Sequence, residues 1–491
     1  MLEKRLASRT TLLWLALPLA VVLLILLFFP FRFRIEFDAD EGVNAIKAMM
    51  VLRGYRLYGD IWSDQPPLFT YLLAGWFQLL GLRAAAGRLL VLLFSAALVA
   101  AAADYLRRSF GSLAAGLCAA TLFMLPFFPR LSVSMMIGLP AISLAMLSFY
   151  ALARWHEQPR PGWLLASALL LGSSVLTKGF TVILAPIWFI GIAVSARRNG
   201  EGRSWLAPAL WSVVLGAMGI AAIFIVIGLD NLDQLVNVHL QAGQTEAFRV
   251  SAVHPPLEYF LRESVSLFVL SIAGVWRAVQ ARRWTAMYLA AWLGAGYALL
   301  TTNSPAWYHH QLLITIPAAM LACIAVAAGV HDLRAIRTER PTALSLGLSL
   351  ASIALFLVFV SVRGPSTVDG LDLRLPNLTG PSPGEEAERE LLGVMGNHVE
   401  ETNWLYTDRP MFAFLTRLPV PPNLAVITAK RLETGQLTDE EVLATLEAYK
   451  PEMILNARFS LPVVQEYMRT RNYTRIDETM KYRLYFRKPP P

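Results

Sequence analysis

The chain alternates long apolar runs with short polar ones, and the length of the apolar runs sets its class. Such runs fall at 11–31, 88–105, 112–128, 132–153, 162–177, 179–196, 205–229, 260–276, 285–301, 309–329 and 342–362. A helix of roughly 20 residues crosses the hydrocarbon core, so the pattern predicts about eleven transmembrane helices. Leu68–Leu82 is also apolar, but its 15 residues suit a helix lying in the interface better than a span. Between the first two spans, Glu41–Arg53 puts Val43, Ile46, Met49 and Met50 on one side, as an amphipathic helix does. Gly54 can end that helix. Pro66-Pro67 blocks helix until Leu68. Beyond Val362 the pattern changes. Residues 364–384 are rich in Pro, Gly, Ser and Asp, as a linker is. In 385–491, helices at Glu385–Glu400, Asp439–Tyr449 and Leu461–Arg471 alternate with strands at Trp404–Thr407, Met453–Leu455 and Tyr482–Arg487. This predicts a small α/β domain behind a membrane domain of residues 1–363.

Composition supports the span pattern. Of 491 residues, 56% are hydrophobic and 16% charged, with a mean hydropathy of +0.49, which excludes a soluble protein. The basic N-terminus MLEKRLASRT precedes an apolar run without a small-residue cleavage site, so a retained first span is expected. Cys118 and Cys323 both fall in apolar runs, which leaves no disulfide framework and no cysteine metal site. The net charge of +8 matters less than its distribution. If Leu68–Leu82 does not cross, Arg107, Arg108, Arg154, Arg160, Arg197, Arg198, Arg203, Arg277, Arg282, Arg283, Arg334, Arg337 and Arg340 share the side of Lys4, Arg5 and Arg9. The opposite short loops hold Arg130, Lys178, Arg249 and Arg262. The positive-inside rule then predicts a cytoplasmic N-terminus in a cell (inner) membrane. It puts 32–87 outside as one long loop with two surface-lying helices, and the C-terminal domain outside as well.

Candidate chemistry collects on that outer face. The first loop carries Asp38, Asp40, Glu41 and Asp64. Arg130 lies in the turn at 129–131, and Lys178 in Leu176-Thr177-Lys178-Gly179. The 230–259 loop holds His239, Arg249, His254 and Glu258, with Arg262 just after. Trp307, Tyr308, His309 and His310 stand at the mouth of a span. Acids beside several cations suit a reaction in which a carboxylate takes a proton while cations hold a phosphate. Plainer readings stand beside this one. The acids fit a solvated loop that starts a helix, Lys178 can snorkel to the interface, and Trp307 and Tyr308 suit an aromatic belt. His309-His310 lacks the spacing of a metal pair. No phosphate-binding loop, dinucleotide fingerprint or nucleophile elbow is present.

In their order and spacing, these residues resemble bacterial GT-C class membrane glycosyltransferases, the group that includes protein O-mannosyltransferases and lipid A aminoarabinose transferases. The resemblance runs through Asp40-Glu41-Gly42, Gly54, Asp64-Gln65-Pro66-Pro67-Leu68, Gly81, Arg88, Arg130, Leu176-Thr177-Lys178-Gly179 and Tyr308-His309, over most of residues 1–330. The tail, with Tyr406-Thr407-Asp408 and Leu446–Pro451, resembles the soluble domain often attached to such enzymes. The resemblance implies transfer of a sugar from a polyprenyl-phosphate carrier to a lipid, glycan or protein acceptor on the extracytoplasmic face, with inversion. Asp40 would be the base and Glu41 its support. Lys178, Arg130, Gln65, Tyr308, His309, Arg249 and Arg262 would serve the donor phosphate. Asp64 is the candidate metal ligand, for a divalent ion of the Mg, Mn or Ca type. Two departures stand out: Gln65 where many relatives have lysine, and Met135-Met136 where many have an acid. A transporter or flippase of an anionic (sugar-)lipid is the alternative. The near absence of acids at mid-span favours the enzyme. An inactive scaffold that recruits partners through its tail is a third reading.

Overall fold

In lipid, a backbone must satisfy its hydrogen bonds within its own segment, and the apolar runs accordingly form helices. The computed structural model describes residues 16–198, 205–242, 264–302, 307–336, 342–380, 385–477 and 482–487. The membrane part comprises α1 (Ala16–Phe28), α2 (Ala39–Leu52), α3 (Leu68–Leu80), α4 (Ala84–Phe110), α5 (Ser112–Met124), α6 (Gly138–Glu157) and α7 (Pro161–Thr177). It continues with α8 (Leu184–Arg198), α9 (Leu206–Ala222), α10 (Leu232–Ala242), α11 (Val265–Gln280), α12 (Ala286–Thr302), α13 (Leu312–Ala335) and α14 (Ala343–Asp369). With their short helical extensions, the segments Ala84–Phe110, Gly179–Arg197, Leu206–Ile227, Tyr308–Ala335 and Ala343–Asp369 are long and apolar enough to cross a membrane.

The centre of the bundle is α13, buried continuously from Leu312 to Ala327. It packs against α11, α12, α14 and α5. At Gly274 of α11, a Cβ would lie 1.9 Å from the Leu321 carbonyl oxygen, so the two backbones touch where a small residue permits it. The outer helices turn Val213, Ile220, Leu344 and Leu357 outward, as lipid-facing surfaces do. The helix α3 has 13 residues, about 20 Å at 1.5 Å per residue, which is short of a hydrocarbon core.

Three features differ from the sequence reading. First, α2 has no solvated face: Glu41 through Met50 are all buried, polar residues included. The amphipathic pattern marks its apolar side, but α3 and the C-terminal domain cover the rest. Second, residues 364–380, the described part of the expected linker, are ordered. The helix α14 runs to Asp369, carrying Pro365 inside it. The Asp372 backbone N–H then donates to the Phe28 carbonyl (2.8 Å), and Asn377 Nδ2 donates to the Leu26 and Phe29 carbonyls (2.6 and 2.7 Å). These bonds satisfy carbonyls that the end of α1 leaves open. Third, the expected span at 132–153 starts only at Gly138, because Ser134–Ile137 form a non-helical connection, buried through Met136.

The C-terminal domain contains α15 (Glu386–Gly396), α16 (Pro410–Thr416), α17 (Ala429–Glu433), α18 (Asp439–Tyr449) and α19 (Pro462–Thr470). Its strands β1 (Leu405–Thr407), β2 (Met453–Asn456), β3 (Thr474–Arg475) and β4 (Arg483–Phe486) lie in the order β1-β2-β4-β3, with β1 and β2 parallel and the other pairs antiparallel. Alternation along the strands gives the sheet two apolar faces. Tyr406 and Ile454 pack with Val442, Leu446 and Val464 in the domain's own core. Leu405, Met453, Leu455 and Leu484 join the core of the membrane part. The contact with α2 is close: a Cβ on Gly42 would fall 2.5 Å from the Met411 nitrogen.

Candidate active site

The start of α2 is held from three sides. Asp38 caps it, accepting from the Asp40 backbone N–H (3.1 Å). Asn44 donates to the Asp40 carbonyl (3.0 Å) and to the Met135 carbonyl (2.9 Å), which ties the helix to the connection before α6. Glu41, fully buried, pairs with Arg88 at the start of α4: Nε donates to Oε1 (2.7 Å) and Nη2 to Oε2 (3.1 Å). The remaining guanidinium N–H groups donate to the carbonyls of Phe31, Arg34 and Ile35. All five donors of Arg88 are thus used. Glu41 also accepts from the backbone N–H of Phe37 (2.8 Å) and of Met135 (3.4 Å). A carboxylate so enclosed cannot reach a substrate. Glu41 instead ties the start of α2 to Arg88 and to the Phe37 and Met135 backbone.

Asp40, by contrast, is accessible. It lies in a recess crowded by protein, and that crowding, with the Asp38 carboxylate, raises its carboxyl above the ordinary value, while Lys178 pulls the other way. Lys178 caps α7 and is buried. Burial lowers its ammonium to about 7 against the pull of Asp40, so it titrates near neutrality. Its Nζ and His309 Cδ2 both border Gly138, each 3.9 Å from the point where a Gly138 Cβ would stand. His309 is buried, and among the described residues its Nδ1 finds no hydrogen-bond partner. Tyr308 donates its hydroxyl to Asp38 and lies under Arg130, whose Cζ is 5.7 Å from the ring centroid. Arg130 is exposed and donates to the Phe37 carbonyl. Its short helix follows Phe127, which takes a left-handed φ of 67°.

Asp64 is not free for a metal. Lys430, from the C-terminal domain, donates to its Oδ2 at 2.8 Å, and His239 Nε2 meets its backbone carbonyl at 2.9 Å. Burial would raise the Asp64 carboxyl, yet Lys430 and His239 together hold it well below the usual carboxylate range. Among the described residues no three His, Cys, Asp or Glu side chains converge as a metal site would require. A divalent ion would have to displace Lys430 and sit beside further lysines, so the donor set fits it poorly. Gln65 enters through its backbone: its carbonyl accepts from the Tyr58 hydroxyl (2.7 Å) and from Ser63 Oγ (3.2 Å). Arg249 and Arg262, with His254 and Glu258, lie outside the described residues.

Three cations escaped sequence reasoning. Lys47 is 2% exposed, 3.4 Å from Ser63 Oγ and within the field of both Asp64 and Asp40. Burial lowers its ammonium. Its position seven residues after Asp40, two turns on, was the available signal. Lys430 and Arg458 reach the site only through the docking of the C-terminal domain, with Arg458 in the field of Asp40. The site as a whole is an accessible carboxylate in the field of several lysines, where the helical membrane bundle meets the C-terminal domain.

That bundle has the fold of GT-C class membrane glycosyltransferases, and the chain resembles protein O-mannosyltransferases and the lipid A aminoarabinose transferases. Residues 64–227 match the dolichyl-phosphate-mannose-protein mannosyltransferase family. The structure aligns with ArnT from Cupriavidus metallidurans bound to undecaprenyl phosphate at a TM-score of 0.66 and 15% identity, over 98% of each chain. For ArnT in the apo state the TM-score is 0.60 at 16% identity, again over 98% of both chains. The Archaeoglobus fulgidus oligosaccharyltransferase in complex with Zn and sulfate aligns at 0.51 and 13% identity, over 90% of this chain and 68% of that one. No curated protein sequence matches the chain.

Proposed function

We propose that this protein is a membrane glycosyltransferase that moves a hexosyl or pentosyl group from a polyprenyl-phosphate donor to a lipid, glycan or protein acceptor, with inversion. The observation that carries the reading is the accessible Asp40 within the field of Lys178. The acceptor hydroxyl attacks the anomeric carbon from the face opposite the phosphate. The bond from that carbon to the phosphate oxygen breaks, and its electron pair leaves on the phosphate. The hydroxyl proton passes to the Asp40 carboxylate. Since the leaving group is already an acid anion, cations that hold it matter more than a general acid. Lys178 and Arg130 supply that charge, with Tyr308 and His309 lining the same recess. A cytoplasmic N-terminus and an extracytoplasmic C-terminal domain in the inner membrane accord with the arginine asymmetry. ArnT has been crystallised bound to undecaprenyl phosphate, which supports a carrier of that class here.

The test is sugar transfer by the purified protein from polyprenyl-phosphate sugars. Lys178→Ala and Arg130→Ala are each expected to weaken donor binding roughly tenfold or more, the worth of a charge-assisted hydrogen bond, and to leave acceptor KM nearly unchanged. Unchanged donor affinity in both would return these side chains to packing roles.

The pH profile follows from the same groups. Asp40 must be ionised, so turnover rises as pH passes its raised carboxyl value. Lys178 must be charged, and its ammonium titrates at about 7, so donor affinity falls as pH rises through that value. The donor phosphodiester keeps its charge throughout this range. Lys178→Arg, charged at every pH used, is expected to lose the alkaline limb. An alkaline limb that persists in Lys178→Arg would assign it to another group. Because a divalent ion fits Asp64 poorly, turnover is expected to survive exhaustive washing with EDTA. Loss that added Mg, Mn or Ca restores would reverse that expectation.

A further inference from the structure

Lys430 is presented to the recess by a rigid part of the C-terminal domain. Thr428 caps α17, accepting from the Arg431 backbone N–H at 3.2 Å. Arg431, 2% exposed, donates to the carbonyls of Asn423 (2.6 Å) and Val426 (2.9 Å) and lies over the Trp62 ring, 4.9 Å from its centroid. Trp62 leads into Ser63 and Asp64, so the two sides of the Lys430–Asp64 contact are packed together on either hand. Neither partner is open surface: the side chains of Lys430 and Asp64 are 17% and 16% exposed.

An ammonium has three N–H donors. One goes to Asp64 Oδ2 at 2.8 Å, and His239 Nδ1 stands at a long 3.4 Å. The Lys430 charge is felt at Lys178 and at His309 and His310 as well. Two lysines from separate parts of the chain therefore lie in one another's field, and among the described residues only the one from the C-terminal domain is matched to a carboxylate at hydrogen-bond distance. An anion bound against Lys178 enters the field of both.

Resting on the donor reading above, we propose that Lys430 is a ligand of the donor phosphate, supplied by the C-terminal domain and held on Asp64 while the site is empty. When the phosphate enters beside Lys178, Lys430 shares its ammonium between Asp64 and a phosphate oxygen. The C-terminal domain then completes the donor site, and it is needed for lipid-phosphate binding as well as for any choice of acceptor.

The experiment measures binding of undecaprenyl phosphate to the full-length protein in detergent at fixed pH, for the wild type and for Lys430→Met, Lys430→Arg, Asp64→Asn and Lys178→Ala. Lys430→Met keeps the length of the side chain and removes the charge. It is expected to weaken binding about tenfold or more, as loss of a charge-assisted bond does. Lys430→Arg is expected to stay within about threefold of the wild type, since it keeps the charge. Asp64→Asn is expected to tighten binding, because it releases Lys430 and removes an anion that repels the phosphate. If Lys430 merely latches the domain, Asp64→Asn breaks the same latch, and an equal loss in both variants overturns the proposal. A Lys430→Met protein that binds like the wild type while Lys178→Ala binds weakly also overturns it, with the donor reading intact. If neither lysine matters, the donor reading itself fails.

Discussion

Asp40→Asn is expected to lower turnover by about 10²-fold or more while donor binding and membrane insertion persist. The substitution keeps the shape of the side chain and its place on α2, since the cap at Asp38 and the Asn44 bond engage the backbone of residue 40. What it removes is the group that can take the acceptor proton. The raised carboxyl of Asp40 makes it a stronger base once ionised than an aspartate in open solvent. Its accessibility, against the complete burial of Glu41, is why the proposed mechanism gives the proton to Asp40 and not to its neighbour. Steady-state kinetics of the purified variant, with donor affinity measured separately, is the check. Near-normal turnover would end the assignment, and the role of base would pass to another carboxylate of the recess. The same measurement separates the enzyme from a flippase, whose lipid movement has no need of a base.

Arg88→Leu is expected to destabilise the protein by about 3–5 kcal/mol, the usual cost of breaking a buried ion pair from one side. The loss leaves the Glu41 carboxylate in the interior with its two backbone donors alone. It also strips the carbonyls of Phe31, Arg34 and Ile35 of their shared partner. These residues join α1 to α2, so the connection that sets the height of Asp40 loosens with the fold. The double variant Glu41→Leu with Arg88→Leu is expected to recover part of that stability, because no uncompensated charge remains. It is not expected to recover turnover, because the connection stays unanchored. Thermal unfolding of the detergent-solubilised protein, read beside its activity, separates the two effects. A single variant as stable as the wild type would mean that the pair contributes nothing to holding the site.

Much of the architecture was written in local pattern. Apolar runs near the bilayer length became helices wherever they are described, because backbone in lipid has few alternatives. The strands at Leu405–Thr407, Met453–Asn456 and Arg483–Phe486 follow alternating or continuous apolar stretches, which are likewise local signals. β3, two exposed residues long, carries no such signal and exists only as a partner of β4. The candidate site divides in the same way. Asp40, Lys178, Tyr308 and His309 stood out as polar residues at the ends of apolar runs, and they do gather near one recess. Glu41 was legible as an acid but not as the buried partner of Arg88, since 47 residues separate them in the chain. Asp64 read as a metal ligand because nothing within its own segment reveals that Lys430, 366 positions away, neutralises it. Lys47 went unnoticed, since it stands off the apolar side of the amphipathic pattern. It is buried because the C-terminal domain and the membrane part close over α2 together. The sequence by itself thus determined the membrane class, the helices and the residues with chemical capacity, all of which depend on short-range periodicity and polarity. Which charges are paired, which carboxylate is accessible and which lysines share a space was decided only by the tertiary structure, because ion pairing and burial depend on contacts between segments that no local pattern encodes.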